Sequence, residues 1–179
     1  NYITCSNGEV IRKPRFFKLS QDKLARRQRR FSKLEKSDKR RLSRRLAVAR
    51  VYEKVVNQRK DFCHKTSNHL IHDYDVICHE DLDVKQLLES SMLSKSIQDA
   101  CWTTLVQYLT YKAAKAGKSV RPVYPRNTSR MCSRCQKLVD KDLTVRIHHC
   151  HYCGLEMDRD YNAAVNILRL GLQSETTVT

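Results

Sequence analysis

Glycine and proline are scarce, at 4 and 3 of 179 residues. A linker-like or disordered chain is thereby excluded, and most of the sequence is expected to fold. Apolar runs are short: none approaches the about eighteen residues of a membrane-spanning helix, and the amino-terminal stretch has no apolar core of the secretory type. Acidic residues are outnumbered, 19 against 35 Lys and Arg, for a formal charge of +16. Hydrophobic content is ordinary at 40%, and the length suits one domain with a small insert. Among 8 cysteines, Cys5, Cys63, Cys78 and Cys101 are scattered without the logic of a disulfide framework. That pattern fits the reduced thiols of a cytoplasmic protein, with these four as small buried hydrophobes.

The charge is concentrated. Residues 12–65 hold 21 Lys and Arg and 5 Asp and Glu, whereas the remainder holds 14 of each. One segment therefore carries the whole excess. A density of this kind points to a polyanion, because each phosphate contact releases counterions. A solvated lysine-rich helical face is the plainer alternative.

Coarse periodicity orders the elements. Residues 2–17 read as a hairpin turning at Ser6-Asn-Gly8. Ser20 is placed to cap a helix beginning at Gln21, and Lys36-Ser-Asp38 interrupts it before a longer helix over about 39–70. Tyr74 to Glu80 reads as a buried strand, continued briefly by Leu82-Asp-Val84, and Ile97 to Ala116 as a helix ended by Gly117. Ser119 to Tyr124 is a strand weakened by Pro122. The last helix spans about 160–170, burying Tyr161, Ala164, Val165 and Leu168, with Gly171 closing it and a frayed tail after it.

The sharpest motif is Cys132-Ser-Arg-Cys135, fourteen residues, then Cys150-His-Tyr-Cys153. Each CxxC turn aims two thiolates at one point, and two turns supply the tetrahedral sulfur set of structural Zn²⁺. His148, His149 and His151 crowd the second pair, but four cysteines already complete the shell. A closed Cys₄ shell leaves no open position for catalysis. The nucleobase-deaminase pattern is also absent, since His79 and Glu80 are adjacent and Met131 precedes Cys132.

Glu80 at a strand end and Asp160 at a helix start suggest a second kind of metal chemistry. Carboxylates converging from distant sequence hold Mg²⁺ for phosphoryl transfer. The plainer reading remains open: Asp158 and Asp160 cap the helix, and Glu80 lies in an exposed turn.

At these residues a resemblance emerges. Asn127-Thr-Ser-Arg-Met-Cys-Ser-Arg-Cys135, His149-Cys-His-Tyr-Cys-Gly154 and Asp158-Arg-Asp-Tyr-Asn-Ala-Ala-Val-Asn-Ile-Leu168 resemble the carboxy-terminal signature of the transposon-encoded TnpB (OrfB) proteins, relatives of the type V CRISPR effectors. Tyr74-Asp-Val-Ile-Cys-His-Glu-Asp-Leu82 resembles that family's second RuvC motif, and Ser6-Asn-Gly-Glu-Val-Ile11 with Asn57-Gln-Arg-Lys-Asp-Phe62 fits as well. The resemblance implies an α/β fold: an RNase H-like (RuvC) core, split by a basic helical hairpin (about 20–72) and an inserted Cys₄ zinc ribbon. Its expected divisions are 1–125, 126–157 and 158–179. It implies RNA-guided cleavage of DNA, with DNA and guide RNA as partners and structural Zn²⁺ and catalytic Mg²⁺ as cofactors. Glu80 matches the second of three magnesium-holding acids and Asp160 the third.

Two departures stand out. The family's first acid belongs to a strand upstream of the stretch matching Asn1 to Thr4, and no aspartate precedes Asp22. The chain is thus expected to be a carboxy-terminal fragment with little cleavage of its own; the alternative is a non-catalytic nucleic-acid-binding module. Gln136 replaces the glycine usual after the first CxxC, at a cost of ~1–2 kcal/mol if the backbone there is left-handed.

Overall fold

The computed structural model of the protein describes residues 1–12, 14–83, 101–142 and 144–173. The chain opens with a hairpin of β1 (Ile3–Thr4) and β2 (Val10–Ile11), with Ile3 opposite Ile11. Asn7 accepts the Glu9 N–H through its side chain and Gly8 takes φ 90°, which is the turn that Asn-Gly predicts.

Helix α1 (Phe16–Ser32) starts earlier than expected, so Ser20 lies inside it and caps nothing; the flanking Arg15 makes no capping bond either. Packing sets this start. The Phe16 ring lies edge-on to Phe62, 6.2 Å between centroids, and Phe62 meets Tyr2 at 5.1 Å. The break around Asp38 is as expected: its carboxylate accepts the Arg40 N–H at 2.7 Å and pairs with the Arg40 guanidinium.

Helix α2 (Arg41–Asp73) then folds back along α1, tied by Gln28 to Tyr52 and by Arg41 over the Phe31 ring. Its buried residues run from Val51 to Ile71, so its first three turns carry charge without core.

Strand β3 (Val76–Glu80), helix α3 (Trp102–Ala116) and strand β4 (Ser119–Val123) follow. β3 and β4 pair in parallel with Glu80 opposite Val123, which requires the crossover that contains α3. Gly117 ends α3 in the left-handed conformation, as expected. Asp81 to Asp83 do not extend the strand, and Val84, Ile97 and the tail from 174 lie outside the described residues. The core joins Tyr2 of the hairpin to Cys63, Leu70 and Ile71 of α2 and to Leu105, Leu109 and Ala113 of α3.

Strands β5 (Ile147–His149) and β6 (Glu156–Asp158) pair antiparallel and run directly into α4 (Arg159–Gln173). Gly171 does not close this helix but lies buried within it. A Cβ there would collide with Cys78 Sγ and sit 3.2 Å from Val123 Cγ2, so glycine lets α4 touch the β3–β4 sheet. The expected apolar stripe holds only in part: Ala164 is buried, whereas Asn162 and Asn166 are fully enclosed.

Candidate metal centre and the carboxylates beside it

The two CxxC segments fold as the same turn twice. In the first, Cys132 N–H donates to Lys137 O and Gln136 N–H to Cys132 O; in the second, Cys150 N–H donates to Leu155 O and Gly154 N–H to Cys150 O. Each turn needs a left-handed residue after its second cysteine, and Gln136 at φ 63° matches Gly154 at φ 70°. The condition that made Gln136 costly is therefore met.

The four sulfurs converge. All lie within 4.8 Å of one another, and Cys132–Cys153 and Cys135–Cys150 are each 3.6 Å apart. A tetrahedron with Zn–S of about 2.3 Å has edges of about 3.8 Å, so the donor set fits a metal such as zinc. The thiols are electrostatically coupled. Burial alone would raise Cys150, but the N–H groups of Tyr152 and Cys153 and the neighbouring thiols bring it down to about 6. Cys153 moves the other way, to about 12: the Leu155 N–H favours its thiolate, yet burial and the other three cysteines outweigh it. Among the described residues this is the one group of three or more His, Cys, Asp or Glu close enough to share an ion.

Little else supports the ribbon, whose apolar core is Val139 and Leu155 beside Cys132 and Cys150. His148 is fully buried on β5, where its Nδ1 accepts from Lys141 Nζ at 2.7 Å; His149 and His151 are exposed. Burial, then the charges of Lys141 and His149, lowers the His148 pKa.

The acids beside the ribbon divide their roles. Asp158 Oδ1 accepts the N–H groups of Asp160 and Tyr161 at 2.8 and 3.0 Å, so Asp158 is the cap of α4. Asp160 is left partly exposed in the first turn, 3.3 Å from the Arg159 guanidinium. Glu80, at the carboxyl end of β3, accepts through Oε1 the hydroxyl proton of Thr128, which leads into the ribbon. Thr128 O in turn accepts from Asn166 Nδ2 at 2.9 Å. Glu80 is thus tied to α4 about one and two-thirds turns below Asp160, a rise of about 9 Å.

The asparagines were missed by reading α4 as an apolar stripe. Asn162 takes the Ser133 N–H on Oδ1 and donates to Met131 O, and Asn166 donates to Met131 O at 2.7 Å as well as to Thr128 O. Both therefore clamp the first cysteine turn onto the helix that carries Asp160. Their i, i+4 spacing within Asn-Ala-Ala-Val-Asn was the available signal.

Elsewhere in the chain, α1 and the first turns of α2 present the basic surface. Leu24 is the one buried residue of α1, and neither helix has an acid in its first turn.

A family model described as a probable transposase (OrfB_IS605) matches residues 1–91, just over half of the chain. The chain belongs to this family. The Cas12f1-like TNB domain model matches residues 102–167 of this OrfB-type protein, covering the ribbon and the start of α4. A "Putative RNA-guided DNA endonuclease" of Streptomyces pristinaespiralis is 37% identical over 174 residues, which is 95% of this chain and 42% of that protein. A TnpB-like protein of Acanthamoeba polyphaga mimivirus is 33% identical over 78% of the chain and 28% of its own length. InsQ of Escherichia coli K12, a "Putative RNA-guided DNA endonuclease", is 29% identical over 94% and 46%. The chain spans less than half the length of each. A cryo-EM structure of a Cas12f1–sgRNA–target DNA complex is similar in fold, with TM-score 0.60 and 22% identity over 88% of this chain and 42% of that one. Among the described residues, no helix is long and apolar enough to cross a membrane.

Proposed function

We propose that this chain supplies the carboxy-terminal nuclease portion of a TnpB-like, RNA-guided DNA endonuclease. Residues 1–125 form part of a RuvC-like core that includes the basic hairpin, 126–157 a zinc ribbon, and 158–179 the last core helix with its tail. The reading rests on one observation above others. A carboxylate at the end of a parallel strand, Glu80, is bonded through Thr128 to the helix whose first turn carries the partly exposed Asp160.

Glu80 and Asp160 are the acids we assign to Mg²⁺, with the oxygen-rich donor chemistry that this ion takes. When bound, the ion stabilises charge on the attacking and leaving oxygens of a phosphodiester. Thr128 and Asn166 orient Glu80, while Asp158 frees Asp160 by taking the cap itself. The cations of α1 and α2 hold guide RNA or DNA by their backbones.

A second reading, a nucleic-acid-binding module without catalysis, is favoured by one finding. Glu80 and Asp160 belong to no group of three metal-ligating side chains among the described residues. Cleavage separates the two. In a polypeptide that also supplies an amino-terminal half comparable to that of the relatives, Glu80→Gln or Asp160→Asn should lower Mg²⁺-dependent DNA cleavage roughly a thousandfold while leaving DNA affinity within about twofold. Normal cutting by Glu80→Gln would remove it from the site.

A further inference from the structure

Between α1 and α2 lies a cleft of about 400 Å³. Lys23 and Arg27 line it from one helix and Arg50 and Lys54 from the other, and no acidic residue is among its lining. None of the four cations has an ion-pair partner among the described residues. Its apolar part is unequal: Val51 is 7% exposed and forms the floor, whereas Leu19 stands 81% exposed at the rim. That isobutyl group gains nothing from a phosphate, but it would gain from an apolar partner that covered it.

We infer that this cleft receives one unstacked nucleotide of a single strand, its base on Leu19 and Val51 and its phosphates on Lys23, Arg27, Arg50 and Lys54. A duplex keeps its bases stacked inside and offers such a cleft only its backbone, so cations alone would serve it. A single strand can splay a base onto an apolar surface while its phosphates meet flanking charge. The volume lies within the range of small-ligand sites and can take a base with its sugar. The inference rests on the reading of the hairpin as a nucleic-acid surface and adds to it the state of the strand and the contact that selects it.

The test uses the full chain with single-stranded DNA and single-stranded RNA, each carrying 2-aminopurine, and a blunt duplex of the same sequence. Wild type should raise the 2-aminopurine fluorescence on binding one of the single strands. Leu19→Ser, at so exposed a position, leaves the fold intact; it should abolish that rise and weaken the strand about fivefold, with duplex affinity unchanged within twofold. Arg50→Gln with Lys54→Gln should weaken strand and duplex alike. Whichever strand shows both Leu19 effects, RNA or DNA, is the occupant. Equal losses for strand and duplex, no loss for either, or binding without a fluorescence rise would overturn the cleft while leaving the hairpin a nucleic-acid surface. Failure to bind any of the three probes would overturn both.

Discussion

The cysteine ribbon and the basic hairpin both lack a core of their own, and they solve the problem in opposite ways. Apart from cysteine, the ribbon buries only Val139 and Leu155 in its cluster, and it concentrates four sulfurs at one point. The hairpin buries one residue of α1, Leu24, and spreads its cations over two helices, leaning on the second half of α2 to reach the protein's core. One is held by a few directional bonds and the other by position on a larger body. Loss of a single atom should therefore dismantle the first, whereas the second should respond only to charge in bulk.

The largest expected effect follows from removing one sulfur. Cys132→Ser should abolish stoichiometric zinc binding, measured by metal analysis, and unfold residues 130–157. Zinc supplies ~10–16 kcal/mol to small peptides of this type, far more than two buried apolar side chains can replace. The helical signal of α1 and α2 should persist. Unchanged zinc content would sink the ribbon's metal, and simultaneous melting of the hairpin would erase the contrast drawn between the two regions.

Next in size is the hairpin's response to salt. Affinity for nucleic acid should fall by about 10³ or more between 50 and 200 mM salt, and replacing six of its Lys or Arg by Gln should reduce the slope of log affinity by about 5. Stability should move by no more than about 0.5 kcal/mol, because these side chains are solvated. A salt-independent affinity would return the charge to a solvated face.

Between the regions lies the seam that joins the ribbon to the body. Asn166 is fully buried and serves Thr128 O, Met131 O and Arg169, so Asn166→Ala should cost about 2–3 kcal/mol in urea unfolding by stranding carbonyls. Zinc content should stay at one per chain, with faster amide exchange confined to 128–133. Loss of zinc in this variant would show that the clamp, and not the thiolates, holds the ribbon.

What was legible in the sequence follows the same division. The CxxC spacing and Gly117 announced themselves because each position admits one chemistry, whereas the left-handed backbone at Gln136 was only a condition raised by the glycine usual there. Asp158 was ambiguous until the backbone showed it bonded to Asp160 and Tyr161 N–H, since a capping and a metal-holding aspartate read alike. Gly171 read as a terminator because local propensity cannot see Cys78 across the sheet. The start of α1 was misplaced likewise: Ser20 is a good local cap, but Phe16 finds Phe62 46 residues away and draws the helix back to it. Asn162 and Asn166 were passed over because the expected buried face was apolar, and their partners are carbonyls of a distant turn.

The smallest effect belongs to the opposite seam, where the strand hairpin meets the end of α2. His69 faces a carboxylate with each ring nitrogen, Glu9 Oε1 at 2.7 Å and Asp73 Oδ2 at 2.9 Å, and both nitrogens donate only when the ring is protonated. His72 shares Asp73, and Tyr74 reaches Glu9 Oε2 at 3.4 Å while accepting from Asn7. The bond to Glu9 raises the His69 pKa against an opposing effect of burial, and the charges of Glu9 and Asp73 add lesser upward contributions. A raised folded-state value means that the contribution is complete below the ordinary histidine range and lost as pH climbs through the folded value. With the His69 side chain 45% exposed, the term should stay below about 1 kcal/mol. Amide exchange at Cys5 and Glu9, corrected for its intrinsic pH dependence, should loosen from pH 5.5 to 8.5 and become pH-independent in His69→Gln. A flat wild-type profile would show that the clasp does not hold the turn. The ribbon amides, tied by the two cysteine turns and the buried asparagines, should keep their protection across the same range.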